Sequence, residues 1–222
     1  IYKMDISQMV AFHLQRAAGA TVAAIPVPIA EGPNYGILEV DRDGRVTGFE
    51  EKPEKPRPLP NNPAKAFASL RNYIFERSVL VEALKDDAED PSSSHDFGRD
   101  VIPRLVAGGG VYAYNFHWNR IPGGSDEENR YWRDVGTLDA YYEANMDLVA
   151  VNPVFNLYDR DWPIRTLQEQ HPPAKFVFAH EEGRMGVALD SIVSQGCIVS
   201  GGRIVQSVLS PGVRVNSYSE LD

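Results

Sequence analysis

A single cysteine, Cys197, stands in the 222 residues, which excludes a disulfide framework. No stretch approaches the roughly 18 uninterrupted apolar residues of a transmembrane helix. A charged leader followed by an apolar core is also missing, so no signal peptide is read at the start. Basic residues are scarce: 22 Lys and Arg against 31 Asp and Glu give a formal net charge of −9. That deficit excludes a general nucleic-acid binder, whose affinity rests on many cation–phosphate contacts. It leaves room for a small phosphorylated ligand, which needs only one or two well-placed cations. Neither G-x-x-x-x-G-K-S/T nor G-x-G-x-x-G occurs, so the phosphate loop of a nucleotide enzyme is not among these residues. The histidines, His13, His95, His117, His171 and His180, show no metal-ligand spacing and no pairing with Cys197, and none is assigned a role.

What is present is ordinary for a globular protein, with 43% hydrophobic and 24% charged residues. The length allows one large domain or two small ones, and a reducing cytoplasm is the expected home. Residue 1 is Ile, and the last residues stop inside a repeating pattern, which reads as a piece of a longer polypeptide. Ile6 to Ala18 predicts an amphipathic helix with Ile6, Met9, Val10, Leu14 and Ala17 on one stripe and Gly19 as its stop. Thr21 to Pro28 predicts a buried strand. Two strands, Tyr35 to Val40 and Arg45 to Glu51, flank Asp41-Arg42-Asp43-Gly44, which is hairpin chemistry. A proline-rich loop over 53–63 precedes a strand from Ala66 to Phe75. Val79 to Leu84 starts a helix with Ser78 as its N-cap. Another helix near Val101 to Val106 ends at Gly108-Gly109-Gly110, and a strand follows from Val111 to Phe116. Thr137 caps a helix running to about Val149, with Leu138, Tyr141, Tyr142, Ala144, Asn145 and Leu148 marking its buried side.

Residues 153–173 read as loop. From Val187 onward Ile192, Ile198 and Ile204 recur every six residues, and after a one-residue slip so do Leu209, Val215 and Leu221. One inward aliphatic per hexapeptide is the signature of a parallel β-helix, the alternative being a hairpin meander with accidental spacing. The whole is α/β, divided as 1–150, a linker over 151–186, and a repeat region over 187–222.

Two segments carry chemistry. Glu51 and Lys52 end a predicted strand before a rigid loop, a place where ligands bind in open α/β sheets. Lys52 suits a phosphate as a point charge and Glu51 suits hydroxyls, although a charged edge that blunts aggregation has the same look. In Tyr131-Trp132-Arg133-Asp134-Val135-Gly136-Thr137, Asp134 suits Mg²⁺, or else helps to cap the following helix. Gly36, after Asn34-Tyr35, brings backbone close to a ligand or simply enters a strand.

Taken together, YGILEVDRDGRVTGFEEKP (35–53), FASLRNYIF (67–75), SSHDFGRDVIP (93–103) and YWRDVGTLDAYYEANMDL (131–148) resemble the bacterial glucose-1-phosphate adenylyltransferase (ADP-glucose pyrophosphorylase) family. The resemblance spans essentially the whole chain. It implies a Rossmann-like nucleotidyltransferase domain joined to a left-handed parallel β-helix, in an allosteric homotetramer. It implies formation of ADP-glucose and pyrophosphate from ATP and glucose 1-phosphate, with Mg²⁺, for glycogen biosynthesis. It assigns glucose 1-phosphate contacts to Gly36, Glu51, Lys52 and Ser69, with Lys52 on the phosphate and Glu51 and Ser69 on the sugar side. Asp134 matches one of two metal-binding aspartates, and Asp96 helps to shape the sugar pocket. Lys52 and Asp134 are the catalytic pair so implied.

The departures are as informative. The family's second metal-binding Asp, in a Gly-Asp-His segment, would stand immediately upstream of Ile1, and its Gly-rich nucleotide loop and activator-site cations further upstream. Leu70 and Arg71 replace the Met-Gly usual after Ser69. By itself this segment is therefore expected to be inactive. The rival readings are another sugar-1-phosphate nucleotidyltransferase, a non-catalytic regulatory subunit of the same fold, and a hexapeptide acyltransferase, for which the repeat lacks a suitable His.

Overall fold

The computed structural model describes residues 1–181 and 184–222, His180 and Glu181 by their backbone alone. Two compact units divide the chain: Met4–Arg120, and Ile1–Lys3 together with Ile121–Asp222.

In Met4–Arg120 a five-stranded mixed sheet is built from β1 (Ala20–Pro28), β2 (Gly36–Val40), β3 (Val46–Glu51), β4 (Lys65–Phe75) and β5 (Val111–Asn115), in the order β3-β2-β4-β1-β5. β1 runs parallel to β5 and antiparallel to β4. The β2–β3 turn closes because Asp41 Oδ1 accepts from the Asp43 and Arg45 amides while Gly44 takes φ 80°. The sheet's core is small and aliphatic at its centre, with Val22, Ala24, Leu38, Val111 and Ala113 nearly sealed from solvent.

Helices α1 (Ile6–Gln15), α2 (Arg77–Glu89) and α3 (Ile102–Gly108) accompany this sheet. Asp5 caps α1 by accepting from the Ser7 amide. Of the expected stripe only Met9 is fully buried. Ile6 and Leu14 face solvent, and Ala17 (φ 45°) rather than Gly19 takes the left-handed conformation after the helix. The buried partner of Met9 is His13, whose Nδ1 is bonded to Thr21 Oγ1 at 2.8 Å. Ser78 does not cap α2. That helix begins at Arg77 with Glu76 in the capping position, so Ser78 lies inside the first turn.

In the other unit Tyr2 bridges Trp132 in antiparallel fashion, and Arg133 N donates to Ile1 O at 3.0 Å. Thr137 caps α4 (Leu138–Val149) as expected, its hydroxyl accepting from Ala140 N. The expected buried face fails here: Ala144 is sealed, but Leu138, Tyr141 and Tyr142 are 87%, 59% and 59% exposed.

Short strands follow among the described residues: β6 (Lys175–Val177), β7 (Ala179–Glu181), β8 (Arg184–Met185), β9 (Val187–Leu189), β10 (Ile192–Val193), β11 (Ile198–Ser200), β12 (Arg203–Val205), β13 (Val208–Leu209), β14 (Arg214–Val215) and β15 (Glu220–Leu221). β7 and β8 form an antiparallel pair. The other strands stack in parallel on three faces, β6-β11-β14, β9-β12-β15 and β10-β13. Ile192 lies on Val208 and Ile198 on Arg214, a step of 16 residues, and Arg203 lies on Glu220, a step of 17. This is a parallel β-helix, as the hexapeptide rhythm requires. Its stacked strands begin at Lys175, ahead of Val187 where the rhythm first reads.

Ile204, Leu209 and Val215 point inward as expected. Ile198 is only half-buried, because Cys197 and Val199 on either side of it fill the interior; Leu221 is exposed.

Candidate active site

Glu51 ends β3 opposite Gly36, the first residue of β2. The adjacent rung pairs Ile37 with Ala68, which brings Ser69 of β4 to the same end of the sheet. Opposite Ala23 of β1, β4 spends three residues, Leu70, Arg71 and Asn72, before Tyr73 pairs with Val22. This two-residue bulge lifts Arg71 out of the sheet at φ 58°. Ser69 Oγ accepts from the Arg71 amide at 3.1 Å and is also bonded to the Tyr73 phenol.

A cavity of about 310 Å³ opens at this point. Phe49 and Glu51 line it from β3, and Arg71, Tyr73 and Phe75 from β4. Its remaining wall is a π-helical turn over Phe97–Val101, which supplies Phe97 and Gly98, with Asp96 as the turn's N-cap. Phe97 stacks on Tyr73 with ring centres 6.0 Å apart and tilts against Phe75 at 6.2 Å. Burial pushes the Tyr73 phenol above its ordinary value, so it stays protonated and able to donate. Aromatic walls with a few carboxylates and hydroxyls suit a sugar, whose faces are apolar and whose rim is hydroxyls.

The turn bearing Asp96 is held from behind. Asp87, at the end of α2, accepts from Ser93 Oγ at 2.6 Å and is bonded to His95 Nδ1 at 2.8 Å. These hydrogen bonds, Ser93 first, and the nearby Arg104 hold its carboxyl below the usual aspartate value. Asp100 accepts from Ser94 Oγ and from the Asp96 amide, and its carboxyl is lowered for the same reason. Asp96 Oδ1 accepts from Arg99 N, which fixes the side chain beside Gly98.

Gly36, Glu51, Ser69 and Asp96 thus come together. A Cβ at Gly36 would stand 2.7 Å from both Glu51 Oε2 and Phe49 Cζ, so a larger residue would push those side-chain tips out of their present positions. Lys52 follows Glu51 with an exposed side chain at φ 51°, its amide donating to Tyr35 O at 2.9 Å. No ion pair engages its ammonium among the described residues.

Asp134 belongs to the other unit. It is exposed, lies over Gly136, and makes no hydrogen bond to α4, whose cap is Thr137. Its neighbour Arg133 pairs with Asp147 at 2.9 Å, so Asp134 is left without an ion pair among the described residues. An exposed carboxylate with both oxygens available fits Mg²⁺, which keeps several waters and takes one or two carboxylates. No cluster of three or more His, Cys, Asp or Glu able to hold a metal occurs among the described residues. A larger groove of about 700 Å³, between Thr166–His171 and Ile192–Gln195, contains none of the nominated residues.

Phe49, Tyr73, Phe75 and Phe97 escaped the sequence reading. The signal was available for three of them. Phe49 is two residues before Glu51, and Tyr73 and Phe75 are four and six after Ser69, spacings that share a strand face. Phe97 needed the π-helical turn, which nothing in the sequence announces.

The nucleotidyl transferase family profile matches residues 1–150. A second profile, described as GlmU-like C-terminal hexapeptide, matches residues 172–222. Among curated proteins the chain is 55% identical to the glucose-1-phosphate adenylyltransferase of Thermus thermophilus, over 99% of this chain and 53% of that protein. It is 51% identical to the enzyme of that name from Anaeromyxobacter dehalogenans, over 99% and 54%. A third of that name, from Methylobacillus flagellatus, is 53% identical over 100% and 51%. The chain spans about half the length of the curated relatives it matches.

Proposed function

The chain belongs to the nucleotidyl transferase family, and from that premise we propose that it is the sugar-phosphate half of a glucose-1-phosphate adenylyltransferase. The reaction joins ATP and glucose 1-phosphate into ADP-glucose, the precursor of glycogen. A phosphate oxygen of the sugar attacks the α-phosphorus of ATP, a new P–O bond forms, and pyrophosphate leaves. Such transfers depend on alignment and on neutralising charge that develops at phosphorus. The observation that carries the reading is one aromatic-walled cavity lined by Glu51 and Asp96, with Gly36 against Glu51 and Ser69 bonded to Tyr73 in its wall, followed in sequence by Lys52, which has no ion pair among the described residues.

Each residue has a part. The aromatic walls take the sugar's apolar face, and Glu51 and Ser69 its hydroxyls. Lys52 holds the sugar phosphate as a point charge and orients its oxygen. Asp134 holds Mg²⁺, which when bound offsets the negative charge of the triphosphate. Its partner aspartate is expected just upstream of Ile1. The antiparallel pairing of Tyr2 with Trp132 supports that expectation, because it carries any preceding residues alongside Asp134. The working molecule is a cytoplasmic homotetramer. No described helix is long and apolar enough to cross a membrane.

The test is pyrophosphate release by a polypeptide carrying this chain together with the remainder its relatives have. Glucose 1-phosphate, Mg²⁺ and each nucleoside triphosphate are supplied in turn. Release with ATP is expected. Release with another nucleotide instead would move the assignment to a sister enzyme, and none with any would favour a non-catalytic subunit.

A further inference from the structure

The cavity holds an ion pair that its reading as a sugar site leaves unexplained. The Glu51 side chain is 16% exposed, and Arg71 Nη2 donates to its Oε1 at 2.7 Å. Oε2 accepts no hydrogen bond among the described residues. It lies where bare glycine backbone leaves room on two sides, 2.7 Å and 3.3 Å from the Cβ positions that Gly36 and Gly98 lack. The two oxygens of one carboxylate are therefore unequal: one accepts from Arg71, the other accepts nothing among the described residues and lies against the backbone of Gly36 and Gly98.

Arg71 is out of place by backbone criteria. At φ 58° in the β4 bulge it occupies a region that glycine reaches without a Cβ clash. Its side chain is 67% exposed, so burial does not hold it there. Strained residues persist where the surrounding structure uses them.

We propose that Arg71 is a positioning residue for Glu51. By occupying Oε1 it fixes the carboxylate's orientation and leaves Oε2 as a single aimed acceptor for a sugar hydroxyl. This rests on the reading of the cavity as a sugar 1-phosphate site and deepens it. A charged donor suits the task, because hydrogen bonds to ionised groups are shorter and stronger than neutral ones.

The test compares R71G, R71K, E51Q and the double variant in the full polypeptide, measuring glucose 1-phosphate affinity by calorimetry and thermal midpoint by scanning. R71G is expected to weaken binding about tenfold, the loss of one charged hydrogen bond, while KM for ATP is unchanged. Its Tm should stay level or rise, because glycine relaxes the left-handed strain. R71K should recover part of the affinity. In the E51Q background R71G should have no further effect, since Arg71 acts only through Glu51. Unchanged affinity in R71G would overturn the proposal, as would a loss that adds in full to that of E51Q. A loss matched by a fall in Tm and not relieved by lysine would mark Arg71 as merely structural, and overturn it too. If the unaltered polypeptide binds no sugar 1-phosphate, the reading of the cavity itself falls.

Discussion

An ammonium with no carboxylate partner acts on an anion at full charge, and Lys52 is such a group among the described residues. Lys52→Ala should raise the KM for glucose 1-phosphate far more than that for ATP, and equal effects in steady-state kinetics would remove it from the sugar phosphate. Asp134→Asn should cut kcat severely with an unchanged circular dichroism spectrum, because the carboxylate supports no helix cap or ion pair; near-normal turnover at saturating Mg²⁺ would end its metal role. Asp87 gives a pH dependence. Its carboxyl is lowered in the folded state, so its contribution is fully present above the ordinary aspartate value of 3.8 and is lost as pH falls through the folded value. Thermal midpoints should drop as the pH is lowered below about 4, and Asp87→Asn should flatten that drop. Glu51, Lys52 and Asp134 draw attention in the sequence because charged residues at strand ends and beside glycine stand out. The Asp87–His95 contact does not, because eight residues and a change of element separate its partners.

At the scale of elements, the repeat strands test close packing most sharply. A Cβ at Gly186 would stand 2.5 Å from the carbonyl oxygens of both Val177 and Val199, backbone that cannot swing aside. Gly186→Ala should cost roughly 1–3 kcal/mol, the range for overpacking, read from denaturant midpoints. Ile204→Ala, which empties a fully buried position, should cost about 2–5 kcal/mol. The coils were legible because a hexapeptide period survives the slip before Leu209. The inward residue of each step was legible at Ile204, Leu209 and Val215 but not at Ile198 or Leu221. Cys197 and Val199 displace Ile198, since the interior of a narrow coil selects by volume and corner geometry as well as by hydrophobicity. The helix stripes misled for a related reason. Ile6, Leu14, Leu138 and Tyr141 follow helical spacing yet face solvent, and spacing alone says which residues share a face, not whether anything covers it.

For the molecule as a whole, the absence of a phosphate loop from these residues separates binding from turnover. The 222-residue chain should bind glucose 1-phosphate in calorimetry yet release no pyrophosphate from ATP, and release by this chain alone would show that the nucleotide is held by residues not nominated here. The β4 bulge governs how chains of this kind can change length. Three residues of one strand stand against one of its neighbour, a surplus of two. Ser69 pairs with Ala24, Tyr73 with Val22 and Phe75 with Ala20, partners on one face of the sheet, so the bulge absorbs the surplus and both rings keep the side of Ser69. A change of length between Ser69 and Tyr73 can therefore be taken up within the bulge while the rings stay in place, which makes it the point at which descent can lengthen or shorten this strand without disturbing the cavity.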